Sequence, residues 1–271
     1  MNNQNNQIEK PYIKVNKVFG SNFYYTVKGK KLAGDKYFSP QSEALITKGV
    51  NHVVLCQETE LKSGHTGKAY GSMSINQLDT IFTNNHHLYE LLGEQRKMHL
   101  DIEFPDMGKD NKKEIMTTIF KLMISCFKDI GVKLDVEGNT VSFVRGKGET
   151  GTFKGVKKMS YHLIINNGYY FKSVEDIKHF ILYCYEKAKT NDRYKVLETE
   201  LGFSIDMGIY TNNRLFKLPY QSKVGSPRVH IPSGDNSRNL PVKSWLVGNY
   251  DNIEDVKFYD VSNIKITGLG N

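Results

Sequence analysis

The alternation of hydrophobic and polar residues along the chain predicts its strands, because successive side chains in a strand point to opposite faces. A hydrophobic period of about 3.6 residues predicts helices, and clusters of glycine and small polar residues predict loops. The predicted strands are 50–57, 96–104, 132–136, 140–146, 158–166 and 214–219. The predicted helices are 75–92, 112–130 and 173–189, and the predicted loops are 63–72, 137–139 and 146–157.

Signals at the ends of these elements support the pattern. Gly131 follows the helix at 112–130 and is typical of a C-terminal cap. Ser173 and Asp176 are similar to a capping box at the start of the next helix. The residues Glu-Gly-Asn at 137–139 predict a hairpin turn between two strands.

The order of elements predicts the fold class. From residue 96 onward the order is β-α-β-β-β-α-β, which is typical of an α+β fold with helices on one face of an antiparallel sheet, RRM-like or ferredoxin-like. A change of pattern near residue 95 predicts a smaller N-terminal α/β module at 1–95, with a disordered polar tail of about ten residues. Residues 96–271 would then form the RRM-like module and a C-terminal extension.

Composition narrows the class of protein. The chain has 271 residues and lacks both a long apolar run and a signal-peptide core, so we expect no membrane association. Its three cysteines are far apart, which fits buried thiols in a reducing compartment. We therefore expect an intracellular protein of the cytoplasm, the nucleus or a viral replication compartment. The net charge of +8 favours a partner that carries phosphates.

Three polar patches are the candidates for chemistry. In the first, Asp101 and Glu103 share one face of the strand at 96–104, where two carboxylates repel each other unless a cation lies between them. The second patch is a row of hydrogen-bond donors on one strand face, Lys158, Ser160 and His162. The third patch combines one acid with three cations, Asp206, Arg214, Lys217 and Lys223. Taken singly, each patch also fits a solvated strand face or a turn.

Taken together, the patches predict nucleotidyl transfer. Three carboxylates can hold two divalent cations about 4 Å apart, which activate an attacking 3′ oxygen and stabilise a pyrophosphate leaving group. Magnesium uses few protein carboxylates beside the substrate phosphates, so three acids are sufficient. The cations of the second and third patches would neutralise the triphosphate.

These patches, in this order, resemble the motifs of the archaeo-eukaryotic primase superfamily, above all its primase-polymerase (PrimPol) branch and the related primase modules of large DNA viruses. The first motif, Asp-x-Glu on a hydrophobic strand, matches LDIEF at 100–104. The second, Ser-x-His preceded by Lys, matches KMSYHLI at 158–164. The third matches IDMGIYTNNRLFKLPYQSK at 205–223, where Asp206, Tyr210, Arg214, Ser222 and Lys223 keep the family's relative spacing. The resemblance covers about residues 96–225.

The resemblance implies a template-dependent DNA primase/polymerase that makes or extends primers in DNA replication. It implies metal ligation by Asp101, Glu103 and Asp206. It implies triphosphate contacts from Lys158, Ser160, His162, Arg214 and Lys223, and Lys217 stands where relatives tend to have arginine. The expected cofactors are two Mg²⁺ or Mn²⁺ ions, and the expected partners are an NTP or dNTP and a single-stranded or primed DNA template.

The chain also departs from its relatives. The PrimPol branch usually carries a C-terminal zinc-binding segment, but no suitable Cys/His spacing is present here. Viral relatives often include a helicase, but no GxxxxGK[ST] loop occurs in this sequence. We therefore expect a priming segment and a helicase to be supplied by another part of a longer protein or by another subunit.

Two other classes of protein fit parts of the pattern. A polymerase-β-like nucleotidyltransferase shares the acidic strand but needs a Gly-Ser pair shortly before it, and Gly71-Ser72 lies too far upstream. A metal-dependent nuclease explains fewer of the motifs. A non-catalytic RRM-like module would bind single strands, although such modules carry aromatic residues on their central strands instead of acids.

Several other residues have a less specific pattern. The stretch 63–72 is similar to a P-loop, but its glycine spacing is too short, so we predict a flexible basic loop that touches nucleic acid. His86 and His87 lie on the predicted helix at 75–92, where adjacent side chains diverge, so we do not expect them to bind a metal ion together. Three more residues are predicted to lie outside the site, with His99 a bystander on the acidic face, Tyr161 in the core and Trp245 a packing anchor.

Overall fold

The computed structural model describes residues 13–26, 40–61, 63–106, 108–134, 141–147, 152–153, 156–197, 204–233, 239–250 and 255–266. Within these ranges the α-helices are α1 (Pro40–Ile46), α2 (Ile75–Ile81), α3 (Lys109–Asp129) and α4 (Val174–Thr190). The first seven strands are β1 (Ile13–Val18), β2 (Ser21–Thr26), β3 (His52–Glu60), β4 (Thr66–Ser74), β5 (Leu88–Leu92), β6 (His99–Pro105) and β7 (Val141–Lys147). The others are β8 (Thr152–Phe153), β9 (Val156–Ile165), β10 (Tyr169–Tyr170), β11 (Ser204–Ile205), β12 (Arg214–Lys217), β13 (Val229–Pro232) and β14 (Lys257–Phe258). Short 3₁₀ helices are Asp192–Leu197, Met207–Ile209 and Val242–Trp245.

The predicted α+β class is confirmed. One sheet runs in the order β11-β6-β9-β7-β13, with every neighbouring pair antiparallel and β8 paired with β9; we call it the C-terminal sheet. Its apolar face packs on α3 and α4, because Leu100, Ile102 and Phe104 belong to the same buried cluster as the inward residues of both helices. The polar side chains of β6 therefore point away from the helices.

The second sheet, which we call the N-terminal sheet, runs β1-β2-β4-β3-β5-β12 and is also antiparallel throughout. Its core contains Phe23, Leu55 and Trp245, so Trp245 is a packing anchor as predicted. Gly71 allows β2 and β4 to approach, because a Cβ at this position would collide with the ring of Phe23 and the carbonyl oxygen of Asn22. A small parallel pair, β10 with β14, lies apart from both sheets.

Several predicted elements agree with the structure. The strands predicted at 50–57, 96–104, 140–146, 158–166 and 214–219 correspond to β3, β6, β7, β9 and β12. The two long helices are α3 and α4. Gly131 has a φ of +74° after α3, and the Ser173 hydroxyl accepts a hydrogen bond from Asp176 N at 3.1 Å.

The prediction of a loop at 63–72 is wrong. Residues from Thr66 onward form β4, which pairs with β2 and β3. Ala69, Gly71 and Met73 all face the core. The hydrophobic alternation did not indicate this strand, because its glycines have no hydrophobic side chain. The P-loop likeness of this stretch is therefore accidental.

The prediction of one helix over 75–92 is also wrong, because α2 ends at Ile81 and 88–92 forms β5. All five residues of β5 are buried, so the strand lacks the alternation that identifies a half-buried strand and is similar in sequence to a buried helix. His86 and His87 consequently lie in the connection before β5.

Other predictions concern segments that lie partly or wholly outside the described residues. Residues 132–134 of the predicted strand at 132–136 do not form a strand. The predicted hairpin turn at 137–139 and the polar tail at 1–10 lie outside the described residues. The prediction of a loop at 146–157 is wrong for the half of this segment that is described, because residues 146–147, 152–153 and 156–157 belong to β7, β8 and β9.

The predicted domain boundary near residue 95 stays a prediction. The N-terminal sheet takes its sixth strand, β12, from Arg214–Lys217, and the core of that sheet includes Val242–Trp245. Segments from both sides of residue 95 therefore contribute to the N-terminal sheet and its core. In the described part of the chain, no helix has the length and apolarity needed to cross a bilayer.

Candidate active site

The pairing of β6 with β9 brings the first two sequence patches together. Asp101 lies directly opposite His162, and Glu103 lies directly opposite Ser160. Opposite residues of an antiparallel pair share one face of the sheet. The four side chains therefore lie on the polar face, with His162 Nε2 at 3.8 Å from Asp101 Oδ2.

Asp206 reaches the same face from the other side of β6. It follows β11, which pairs with β6, and its backbone N–H donates to the Asp101 carbonyl at 2.9 Å. Its Oδ1 accepts a hydrogen bond from Gly208 N at 2.8 Å, which caps the 3₁₀ helix at Met207–Ile209. Asp206 therefore serves as a turn residue and also lines the cleft described next.

Strand β12 of the N-terminal sheet lies over this polar face. The ring of Phe216 stacks on His162 with a centroid distance of 4.3 Å, and it lies 5.2 Å from the ring of His99. The neighbouring residues Arg214 and Lys217 thereby approach the acids of the C-terminal sheet. The cations Arg214 and Lys217 of the third sequence patch consequently lie on the wall opposite the acids, whereas Asp206 lies beside the acids.

The space between the sheets is a cleft of about 310 Å³. It is lined by eight of the residues selected from the sequence, Asp101, Glu103, Ser160, His162, Asp206, Arg214, Lys217 and Lys223. The ninth, Lys158, belongs to β9 by its backbone, but its side chain lies outside the described residues.

The cleft also contains residues that no motif indicated. Tyr89 of β5, together with Arg228 and His230, contributes to its lining. Arg228 Nη2 donates to Ser160 Oγ at 3.1 Å, and the ring of His230 lies 4.2 Å from that of His162. One sequence signal could have indicated Arg228 and His230 as cleft residues. They are two residues apart, which places both side chains on one face of a strand.

The electrostatics of the cleft are dominated by cations on the wall opposite the acids. Burial, followed by the charges of Lys223 and Arg228, lowers the pKa of Lys217 to about 8. Burial, followed by the charge of Lys217, lowers the pKa of His162 to about 3, so His162 is neutral near pH 7. A neutral imidazole keeps one N–H donor for an anionic ligand.

The acids have the chemistry of a divalent cation site. Carboxylate oxygens are the ligands that Mg²⁺ and Mn²⁺ prefer. Among the described residues, no three His, Cys, Asp or Glu side chains lie close enough together to hold a metal ion as they are placed. Asp206 instead contacts the Gly208 amide, and its Oδ2 lies 4.0 Å from Arg214 Nη2. The donor set fits a hard cation, and Asp206 would have to turn towards Asp101 and Glu103 to complete it.

Two residues of the third motif, Tyr210 and Ser222, stabilise the fold and do not line the cleft. The Tyr210 hydroxyl donates to the His99 carbonyl at 2.6 Å and is fully buried. Ser222 N donates to Asn85 Oδ1 at 3.0 Å, and Asn85 Nδ2 donates to Ser222 Oγ at 2.8 Å. Neither residue lines the cleft; the two fix the chain before and after β12. Tyr161 lies in the core, as predicted.

His99 is buried beneath the cleft and does not line it. Its Nδ1 donates to the Lys97 carbonyl at 3.0 Å, and its ring packs edge-on against the ring of Tyr210 at 5.2 Å. Burial is the main cause that lowers the pKa of His99 to about 3. His99 therefore stays neutral in the folded protein while it takes up a proton in the unfolded chain near pH 6.5.

The replacement His99→Phe should therefore weaken the pH dependence of stability. Stability linked to His99 is present above about pH 6.5 and is lost as the pH falls towards 3, because only the unfolded chain binds the proton. Without this group, the slope of the unfolding free energy against pH should fall by about 1.4 kcal/mol per pH unit below pH 6. Denaturant unfolding between pH 4.5 and 8 measures this slope, and the exposed His65→Gln variant should retain the original one.

Comparison with known proteins gives no family assignment. No family model matches the chain, and no curated protein is significantly similar to it in sequence. The likeness to primases therefore depends on the three motifs and on their common location in one cleft.

Proposed function

We propose that the chain is a template-dependent DNA primase/polymerase of the archaeo-eukaryotic type, which transfers nucleotides by a two-metal mechanism. The main support is that Asp206, which is more than a hundred residues further along the chain, lines the same cleft as Asp101 and Glu103. Cationic side chains from two other segments line the opposite wall. This is the arrangement expected for an enzyme that binds metal ions and a triphosphate side by side.

The topology of the C-terminal sheet gives independent support. If β6, β7, β9 and β11 are taken as the four strands of a β-α-β-β-α-β unit, their order in the sheet is fourth-first-third-second. Helix α3 follows the first strand of this unit and α4 follows the third. This order is that of the ferredoxin-like and RRM-like folds, which we propose for this sheet.

Each group of residues has a separate task in the proposed reaction. Asp101, Glu103 and Asp206 would hold Mg²⁺ or Mn²⁺. When bound, these ions supply activation of the primer 3′ hydroxyl and stabilisation of the pyrophosphate leaving group. The side chains of Arg214 and Lys223 would bind and orient the triphosphate.

Primer extension tests this proposal directly. The protein is incubated with a primed single-stranded template, dNTPs or NTPs, and Mg²⁺ or Mn²⁺, and we expect template-directed extension that EDTA abolishes. An unprimed template tests whether the protein also initiates. Absence of extension with either metal and either nucleotide, alongside salt-sensitive binding of single strands, would instead support a non-catalytic RRM-like module.

The polymerase-β-like alternative gains no support from the geometry. That family needs a Gly-Ser pair next to its acidic strand, and the pair present here, Gly71-Ser72, belongs to β4 of the N-terminal sheet. Neither residue lines the cleft. The Ser160 and His162 pair, which the primase motif includes, lies directly beside the acids.

A further inference from the structure

Strand β13 forms the edge of the C-terminal sheet farthest from β11, where it pairs with β7. Arg228 immediately precedes this strand and His230 lies within it, and both residues line the cleft. The contact of the His230 ring with His162, at 4.2 Å, shows that this edge packs closely against the second motif. The edge strand therefore adds a cation, Arg228, to the wall of the cleft.

The hydrogen bonding of Arg228 is incomplete. Its Nη2 donates to Ser160 Oγ at 3.1 Å, but its buried Nε has no hydrogen-bond partner. Among the described residues, no carboxylate forms an ion pair with it. Arg228 is half-buried, and shielding part of a guanidinium from water is costly unless an anion compensates its charge and its donors.

Arg228 shares the cleft with two other cationic side chains. Lys217 and Lys223 line the same cleft, and the charges of both Lys223 and Arg228 act, after burial, to lower the pKa of Lys217 to about 8. Three cations that repel one another form a site that a polyanion would stabilise. Ser160 holds the guanidinium beside the acids of β6, because Ser160 lies directly opposite Glu103.

We propose that Arg228 is a phosphate-binding residue of the cleft, oriented by Ser160, and that its ligand is a polyphosphate. The assignment of that polyphosphate to a nucleoside triphosphate rests on the proposed function. Polyphosphate binding itself needs neither catalysis nor template. A guanidinium offers a planar fork of donors, which suits phosphate oxygens better than an ammonium does.

Inorganic tripolyphosphate is the probe for this site. Its affinity is measured by titration calorimetry without divalent metal, for the unmodified protein and for Arg228→Gln, Arg228→Lys and Arg193→Gln. We expect Arg228→Gln to weaken binding by about tenfold or more, and Arg228→Lys by about threefold because it keeps the charge. Arg193 is exposed on the 3₁₀ helix at Asp192–Leu197, and its replacement should leave the affinity unchanged. Thermal melting verifies that each variant is folded.

A second series separates direct contact from positioning. In the Ser160→Ala background, Arg228→Gln should weaken tripolyphosphate binding by less than tenfold but by more than twofold, because the guanidinium itself binds the phosphate and Ser160 only orients it. An undiminished tenfold effect in that background would overturn the orienting role of Ser160. The proposal is wrong if Arg228→Gln leaves the affinity within twofold, or if its effect disappears in the Ser160→Ala background. Tight binding that depends on Arg228, in a protein that never extends a primer, would instead overturn the proposed polymerase activity and leave this site intact.

Discussion

Replacement of Asp101 by alanine is expected to lower the rate of nucleotide incorporation by about 10³-fold, equivalent to about 4 kcal/mol of transition-state stabilisation. Asp101 is central to the cleft, because its carbonyl accepts the Asp206 amide and its carboxylate lies 3.8 Å from His162 Nε2. Its loss would remove one of the three carboxylates that we propose to bind metal. Single-turnover extension of a labelled primer, with saturating nucleotide and Mn²⁺, measures the effect.

Two further variants make the Asp101 result specific. Asp101→Asn keeps the size of the side chain but removes its charge, so it should be almost as inactive as Asp101→Ala. Glu114→Ala removes an exposed acid from α3, outside the cleft, and should extend primers at the original rate. Incorporation by a folded Asp101→Ala protein at more than a tenth of the original rate would contradict the metal-binding role of Asp101.

Replacement of Glu90 by alanine should have the largest effect on stability, lowering the free energy of unfolding by about 4 kcal/mol. Glu90 is fully buried in β5. Its carboxylate accepts hydrogen bonds from Val247 N at 2.8 Å, Gly248 N at 2.7 Å and the Tyr250 hydroxyl at 2.8 Å. Alanine would leave these buried donors without an acceptor and would release the 247–250 segment from the N-terminal sheet.

Graded variants test this account of Glu90. Tyr250→Phe removes only one of the three donors and should cost about 1 kcal/mol. The exposed Glu114→Ala change should stay within about 0.5 kcal/mol of the original stability. Urea unfolding, followed by circular dichroism, gives all three values. A loss below 1 kcal/mol for Glu90→Ala would show that these hydrogen bonds contribute little to the fold.

The acidic strand shows what local sequence can predict. Alternation in 96–104 placed Asp101 and Glu103 on one face of a strand, and β6 has this arrangement. The period of two residues and the burial of one face both act locally, so they are visible in the sequence. Helices α3 and α4 were predictable for the same reason, since their caps and apolar stripes are local.

Other features depend on contacts between distant segments. Strand β5 is buried on both faces by parts of the chain that are remote in sequence. In the sequence, Glu90 therefore resembles a polar residue on the exposed side of a helix. Arg228 acquires its position from the pairing of β13 with β7 and from Ser160. Nothing near it in sequence specifies that pairing, so motif analysis selected Arg214 and Lys223 and missed Arg228.

A crystal structure with Mn²⁺ and a non-hydrolysable dNTP tests the central claim most directly, because the anomalous signal of manganese locates the ions without reference to activity. We expect anomalous peaks in contact with Asp101, Glu103 and Asp206, with Asp206 turned from Gly208 towards the ions and the triphosphate against the cationic wall. A nucleotide bound elsewhere, or manganese absent from these carboxylates at saturating concentration, would contradict a shared metal site in this cleft.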